Sequence, residues 1–547
     1  MSTQPPKDNS TSRRKPAFPR TDAGNAEFFA YQYKDQLRYD FGRGRWLIWS
    51  KHTWTEDRHD AVLQAAKAAA RARYRVLSHG LSQEDAKEEA AWASGSESRP
   101  RLEAILKIAK SEPWLATTGE DWDADPWLLG VGNGVVNLRT GELRDGQRSD
   151  LITMHTDVAF NPAAQCPRWL TFLDDIFGCD HELIGFVHRA VGYCLTGDTT
   201  EQVIFLCHGS GANGKSTFLD VLRHVFGDYA YNLPFSTFEL KARSAISNDV
   251  AALPGRRFVT ALETNESAPL NEARLKLLTG CDPVSARLLY REFFTFTPAA
   301  KFWLATNHKP PVADDSPGFW RRIRLIPFLQ HFVDDHADKN LASKLKAESS
   351  GILRWVLEGC LLWQRQGLGL PAVVEAASQS YREENDHLGE FLGDCCLVAP
   401  DACVWAAALW NSYLLWAADN QDRPLERKVF SARLEGKGFC KKRVGHERTW
   451  TWFGLCLKAP ELPQSPPAVG IGADGCGREN AIVVSEEEIS ITNNSKITSA
   501  HVRTSAIWPL CRPGDCLEHG PRRAWELRDT KLAERENSGP HYHPVEK

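Results

Sequence analysis

Apolar positions along the chain change period several times, and each change marks a different kind of element. Residues 25–54 (NAEFFAYQYKDQLRYDFGRGRWLIWSKHTW) are spaced first as a helix and then as strands, with Gly42 and Gly44 as punctuation. Residues 61–93 are rich in Ala, Arg and Glu, and 100–109 continue in the same manner, which predicts an N-terminal helical module. In 127–143 (WLLGVGNGVVNLRTGEL) the turn-forming pairs Asn133-Gly134 and Thr140-Gly141 predict a small hairpin. Residues 166–195 predict two helices separated near Gly178. Short apolar strands then alternate with helices: 203–207 before a helix from Lys215, 258–262 before a helix from Asn271, then 302–306 and 323–328. That alternation predicts an α/β sheet. Helical spacing resumes from about Val333 to Glu390, followed by helices at 406–418 and 428–436 and a basic hairpin at 439–457.

The two ends lack such periodicity. Residues 1–24 and 459–547 are polar, Pro- and Ser-containing and charged, and are expected to be a flexible leader and a disordered tail. A chain of 547 residues predicts about three to five folded units. Lys plus Arg is 66 against 70 for Asp plus Glu, a net charge of −4, so any nucleic-acid surface must be a local patch. Fourteen cysteines, including the adjacent Cys395 and Cys396, lack the spacing of a disulfide framework and point to a reduced, cytoplasmic setting. No run approaches the ~20 apolar residues a membrane span needs, so neither secretion nor a membrane partner is expected.

The strongest chemical signal is Gly209-Ser210-Gly211-Ala212-Asn213-Gly214-Lys215-Ser216, followed by Thr217, between an apolar strand and a helix. This is a complete phosphate-binding loop: glycines let backbone N–H groups face a phosphate, and the helix N-terminus adds positive potential. Lys215 is expected to reach the β- and γ-phosphates of ATP and Ser216 to ligate Mg²⁺. Hydrolysis also needs an acid, and the strand ending in Glu263 supplies one for Mg²⁺ and water, with Glu266 as second choice. Asn307 ends another strand, where its amide can orient the attacking water. Arg321 and Arg322 precede the strand at 323–328, where an arginine can serve a neighbour's γ-phosphate. The plain alternatives are an acid facing solvent, an asparagine that only starts a turn, and a solvated basic edge.

Taken together, GSGANGKS (209–216), RRFVTALETNE (256–266), LKLLTGCDPVSARLLYREFFTFTPAAKFWLATN (275–307) and FWRRIRLIPF (319–328) resemble superfamily 3 helicases of the phage and plasmid primase-helicase family. The upstream DPWLLGVGNGVVNLRTGEL (125–143) and GYCLTGDTTEQ (192–202) extend the resemblance, including its poxvirus-type N-terminal region, to roughly 25–457. It implies a multidomain α/β protein: an N-terminal helical and α+β region (25–150), a helical collar (151–200), an AAA+-like P-loop NTPase core (201–332), a helical lid (333–395) and a C-terminal winged-helix domain (396–458). It also implies a hexameric ring, ATP sites between subunits, and 3′ to 5′ movement on single-stranded or forked DNA. By position, Lys215 and Ser216 are the Walker A pair, Glu263 the Walker B acid, Asn307 the sensor, and Arg321 or Arg322 the arginine finger. One departure stands out. The family's second motif often ends in two adjacent acids, whereas Glu263 is followed by Thr264 and Asn265, which leaves metal ligation and base function undivided.

Residues 282–298 resemble the hairpin that such motors push into their channel, with Lys276, Arg287 and Arg291 as DNA candidates or ordinary surface charge. Between Arg423 and Arg448, nine Lys or Arg stand against three Glu. That layout looks like a recognition helix and a basic β-wing, in which Lys441, Lys442 and Arg443 would contact phosphates; a solvated basic face is the alternative. Three other patterns are set aside. Asp121, Asp123 and Asp125 imitate a primase metal site in a chain too short ahead of them, His541 and His543 lie at the extreme C-terminus, and Cys511, Cys516 and His519 have irregular spacing for zinc. The reading is therefore an ATP-driven replicative DNA helicase of a phage, prophage or plasmid, working in the bacterial host cytoplasm with a separate primase or initiator. An origin-binding initiator without unwinding activity, or a P-loop ATPase for packaging or defence, are the other readings.

Overall fold

The computed structural model describes residues 18–79, 81–240, 249–263, 269–287, 292–312, 316–332, 338–420, 424–445 and 448–458. Glu266, Arg291, the tail from 459 and residues 1–17 of the expected leader lie outside the described residues. The chain divides into two units at Asn385 and Asp386.

In the first unit, helices Asp22–Tyr33, Ala61–Leu77, Gln83–Gly95 and Arg99–Ala109 cover a sheet ordered Thr53–Glu56, Arg45–Ser50, Leu37–Asp40, Ala116–Thr117. Order begins earlier than residue 25. The Thr21 side chain caps the first helix by accepting from Gly24 N at 3.1 Å. Fully buried Arg73 donates to Glu89 at 2.6 Å and to the carbonyls of Phe18 and Gly24. A buried guanidinium needs every donor met, and the start of the chain supplies acceptors that local composition does not reveal.

The expected hairpin is Leu128–Val131 with Gly134–Asn137, joined by a third strand, Glu142–Arg144. Its inner residues Leu129, Val131, Val136 and Leu138 share one hydrophobic core with helices Pro167–Phe177, His181–Tyr193, Lys215–Phe226 and Ser349–Gln366. Helices His181–Tyr193 and Ser349–Gln366 touch through glycines: a Cβ on Gly192 would sit 2.1 Å from Cys360 N, and one on Gly359 would sit 2.2 Å from His188 O. Collar, α/β core and the helices up to 385 thus fall within one compact unit. Close helix approach through glycine leaves no mark in apolar periodicity.

The five-stranded sheet runs Ile323–Pro327, Ile204–His208, Lys301–Thr306, Phe258–Leu262, Ala230–Pro234, and every pair is parallel. Leu325, Leu206, Leu304, Ala261 and Leu233 form one row across it. In chain order the path leaves the Ile204–His208 strand for the far edge and returns to flank it on both sides. The reversal therefore falls at the carboxyl end of that strand, where α/β sheets bind ligands. The edge strand Ala230–Pro234 was not expected, since its Asn232 and Pro234 suit a strand only at an edge.

The second unit is built in the order helix His387–Cys395, strand Cys396–Trp405, helices Ala406–Asp419 and Arg427–Gly436, and strands Cys440–Val444 and Thr449–Leu457. Its antiparallel sheet places Thr449–Leu457 in the middle. Leu388, Phe391 and Leu392 pack into this unit's core with Leu409, Tyr413 and Trp452, so helix His387–Cys395, expected within the lid at 333–395, belongs here.

Candidate functional site

The glycine-rich loop leaves the central strand at His208 and enters helix Lys215–Phe226, whose buried face (Phe218, Leu219, Leu222, Val225, Phe226) has helical spacing. Trp169 stacks on Phe218 at 5.7 Å and anchors that helix. Two glycines are dictated by geometry. Gly214 has φ 82° and a Cβ there would lie 2.5 Å from Ile176, while a Cβ on Gly209 would lie 2.3 Å from Phe328 O. Gly211 (φ 99°) and Ala212 (φ 47°) are also left-handed, which turns the backbone into the tight curl an anion cradle requires.

The segment after the last strand backs this loop, which its sequence did not announce. Phe328 N donates to His208 O, Phe332 N to Ala212 O, and His331 Nδ1 pairs with Gly211 O. Asn213 is buried and bridges, its Nδ2 donating to Phe328 O at 3.3 Å and its Oδ1 accepting from Lys215.

Lys215 is nearly fully buried, and its Nζ donates to Gly209 O at 2.6 Å, Asn213 Oδ1 at 3.0 Å and Asn307 Oδ1 at 3.1 Å. Burial holds its ammonium below the ordinary lysine range, and Cys207 and Glu263 oppose that shift. Asn307 ends the adjacent strand, and Glu263 follows the next one. Glu263 Oε2 accepts from Asn307 N at 2.8 Å and His308 N at 3.4 Å. Three strands thus bring the expected lysine, amide and acid to one end of the sheet, linked through Asn307. Ser216 is exposed and Thr217 half-buried in the first helical turn, and Ser210 is exposed on the loop. Thr306 Oγ1, buried beside the loop strand, has no hydrogen-bond partner among the described residues. The donor set fits a polyphosphate: an ammonium, loop N–H groups with glycine clearance, and a helix N-terminus. Ser216 and Glu263 supply hydroxyl and carboxylate oxygen, the donors that suit Mg²⁺.

Arg321 and Arg322 stand at the other end of the sheet. Arg322 O accepts from Ile204 N, at the start of the loop strand. A five-residue strand at ~3.3 Å per residue separates them from their own chain's loop by roughly 16 Å. Arg322 is half-buried and Nη1 lies within 3.4 Å of Gln202 O, Thr279 O and Thr279 Oγ1, with its pKa lowered by burial and by Arg321. Arg321 is exposed, and Nη2 donates to Gln202 Oε1 at 2.7 Å. It lines a cleft of about 280 Å³ with Trp320, Arg324, Glu375, Gln379 and Arg382.

The hairpin expected within 282–298 is present as Val284–Arg287 paired with Phe293–Phe296, Arg287 facing Phe293 across it and lying 4.9 Å over its ring. Lys276 is half-buried and donates to Ser316 Oγ at 2.9 Å. In the second unit, Lys442 and Arg443 are exposed and Lys441 is half-buried. Sequence reasoning passed over Trp450, which is 46% exposed, opposite Arg443 and beneath Lys441 and Arg443 at 5.4 and 4.8 Å. Its signal is the aromatic alternation in TWTWFGL. Asp123 is occupied in accepting from Thr153 N and Met154 N, and Asp125 from Trp127 N. No helix among the described residues is long and apolar enough to cross a membrane.

Residues 26–178 match a family model described as "D5 N terminal like", and residues 207–322 match a "Family of unknown function (DUF5906)". A protein of Acanthamoeba polyphaga mimivirus, provisionally named a helicase, is 29% identical over 295 residues, covering 50% of this chain and 31% of the relative. One from Frog virus 3, also provisionally named a helicase, is 22% identical over 395 residues, covering 57% and 40%. An African swine fever virus protein provisionally named a primase is 26% identical over 309 residues, covering 51% and 32%. The match thus spans 31 to 40% of these curated relatives' lengths. A solved apo structure of the NrS-1 C-terminal region aligns over 78% of this chain and 98% of its own at 10% identity, with a TM-score of 0.44.

Proposed function

We propose that the chain, which resembles viral primase and helicase proteins in sequence, is an ATP-dependent replicative DNA helicase of the superfamily 3 type. In this reading the sheet is an AAA+-like P-loop ATPase core, the second unit is a winged-helix DNA-binding domain, and subunits close into a hexameric ring around one strand. The mobile element it serves is a phage, prophage or plasmid, and priming falls to a separate primase.

The observation that carries the reading is the pairing of Lys215, Asn307 and Glu263 at one end of a sheet whose other end presents an exposed Arg321. Bound Mg²⁺–ATP supplies the scissile phosphoanhydride and the cation that offsets its charge. Lys215 holds phosphate oxygens with the donors that now rest on Gly209, Asn213 and Asn307, and Ser216 takes the metal. Glu263 is the group that orients water and accepts its proton. Asn307 touches both Lys215 and Glu263, so it can report phosphate occupancy to the acid. Arg321 lies too far from its own loop to act there and is presented to a neighbouring subunit, where an arginine stabilises charge on the transferring phosphoryl group. Arg287 beside Phe293 follows one strand, and Lys441, Lys442 and Arg443 hold phosphates while Trp450 stacks on a base.

The test is strand displacement from a forked DNA, together with ATP turnover with and without single-stranded DNA. DNA-stimulated turnover and ATP-dependent displacement, both lost in Lys215→Ala, are expected. ATP-supported DNA binding without displacement would point to an origin-binding initiator, and turnover indifferent to DNA to a packaging or defence ATPase.

A further inference from the structure

Gln202 lies two residues before the strand whose far end becomes the glycine-rich loop. Its backbone is left-handed at φ 51°, a conformation a non-glycine residue keeps only where its surroundings impose it. Here Gln202 N donates to Thr199 O at 3.1 Å, and Nε2 lies 3.9 Å from Cys281 Sγ. That turn aims the amide carbonyl at Arg321, whose Nη2 donates to it at 2.7 Å. The two arginines differ in what else they touch. Arg322 reaches Thr279 through both carbonyl and hydroxyl, whereas the exposed Arg321 has Gln202 as its side-chain hydrogen-bond partner among the described residues. Arg324 Nη1 donates to Arg321 O at 2.8 Å and fixes the backbone from which the side chain leaves.

We propose that Gln202 is a positioning residue for Arg321, its side-chain carbonyl setting the direction in which the guanidinium meets the next subunit's γ-phosphate. A guanidinium has five N–H donors, so one can stay on Gln202 while others reach an anion. Nothing in this asks Gln202 to touch nucleotide. The inference rests on the ring reading given above, with Arg321 acting between subunits.

The test uses the full-length protein with Gln202→Met, which keeps length and volume but removes the acceptor, and Gln202→Glu, which keeps an acceptor. The methionine variant is expected to lose about 10- to 100-fold in kcat for DNA-stimulated ATP hydrolysis, the scale of a misaimed catalytic group. KM for ATP should stay within about twofold, because ground-state binding is untouched. Gln202→Glu should retain most of the turnover. Gln202→Ser, with its hydroxyl out of reach, replaces the methionine variant should that melt early. Mixing Gln202→Met with Lys215→Ala subunits is decisive, since it creates sites with an intact loop from one and an intact Arg321–Gln202 edge from the other. Turnover above either parent supports the proposal. No recovery in that mixture, while Arg321→Ala with Lys215→Ala does recover, overturns the proposal and leaves the ring reading intact. Failure of both mixtures removes the shared site and the proposal together.

Discussion

The two ends of the five-stranded sheet are made by the same strands, yet they treat charge in opposite ways. At the carboxyl end, Lys215, Asn307 and Glu263 bond to one another or to loop backbone, and Ser216, Asn307 and the loop crest stay open to water. At the amino end, Lys301 and Arg257 are buried and spend their donors on main-chain oxygens: Lys301 on Thr196, Asp198 and Ala299, Arg257 on Leu195 and Asp125. These two cations clamp the turn that follows helix His181–Tyr193 onto the sheet. Arg321 stands at this same amino end but outside the clamp, exposed and held by a single side chain. The lesson is that a basic residue at a strand end is read by where its donors terminate. Donors on buried carbonyls stitch the fold, and donors left toward water can serve a ligand.

The sharpest way to break this contrast is Lys215→Ala, expected to lower ATP turnover by about a thousandfold or more, measured by phosphate release. Within the arginine pair, Arg321→Ala should cost turnover on a similar scale, about a thousandfold, with no loss of thermal stability. Arg322→Ala should instead lower the melting temperature by about 2–4 °C, because it frees Thr279 and Gln202 oxygens. Equal effects of the two on both measurements would erase the distinction. In the second unit, Trp450→Ala should weaken single-stranded DNA binding by about tenfold at fixed salt. Lys442→Ala should lower affinity and reduce the salt slope by about one, with DNA-free turnover unchanged.

The smallest effect concerns Lys301. Burial pulls its pKa down to about 7 from the ordinary 10.5. Between those values the folded chain binds fewer protons than the unfolded one, so stability rises with pH. This contribution is complete above 10.5 and vanishes as pH falls through about 7. From pH 7 to about pH 8 the stability of the wild type relative to Lys301→Met should rise by about 1 kcal/mol, a difference from which the ionisation of unfolded-state cysteines cancels. An unchanged difference would show that the three carbonyls keep Lys301 charged in the fold.

Much of this was legible in the sequence, because each landmark sits where an apolar strand gives out. Gly209, Glu263 and Asn307 each follow such a run, and the loop's glycines carry their conformational requirement in their identity. The hairpin within 282–298 was legible through its resemblance, and Val284–Arg287 pairs there with Phe293–Phe296. What stayed hidden depends on distant partners. Strand Cys396–Trp405 is interrupted by Pro400 and Asp401 and shifts register between Val398 and Cys403, so local propensity argued against it. Phe328 and Phe332 support the loop through main-chain atoms, which neither side chain advertises. Gln202 closes the 192–202 stretch with no mark of its partner in the sequence, and only the fold shows that Arg321 ends on it.

The central claim is that the open lysine end of one sheet meets the open arginine end of another. Lys215→Ala and Arg321→Ala proteins, each inactive alone, should be mixed at equal concentration and assayed for DNA-stimulated ATP turnover. Shared sites predict activity in the mixture well above either parent, because some interfaces receive an intact lysine and an intact arginine. A mixture no more active than its parents, with both proteins folded and co-assembled, would contradict the account.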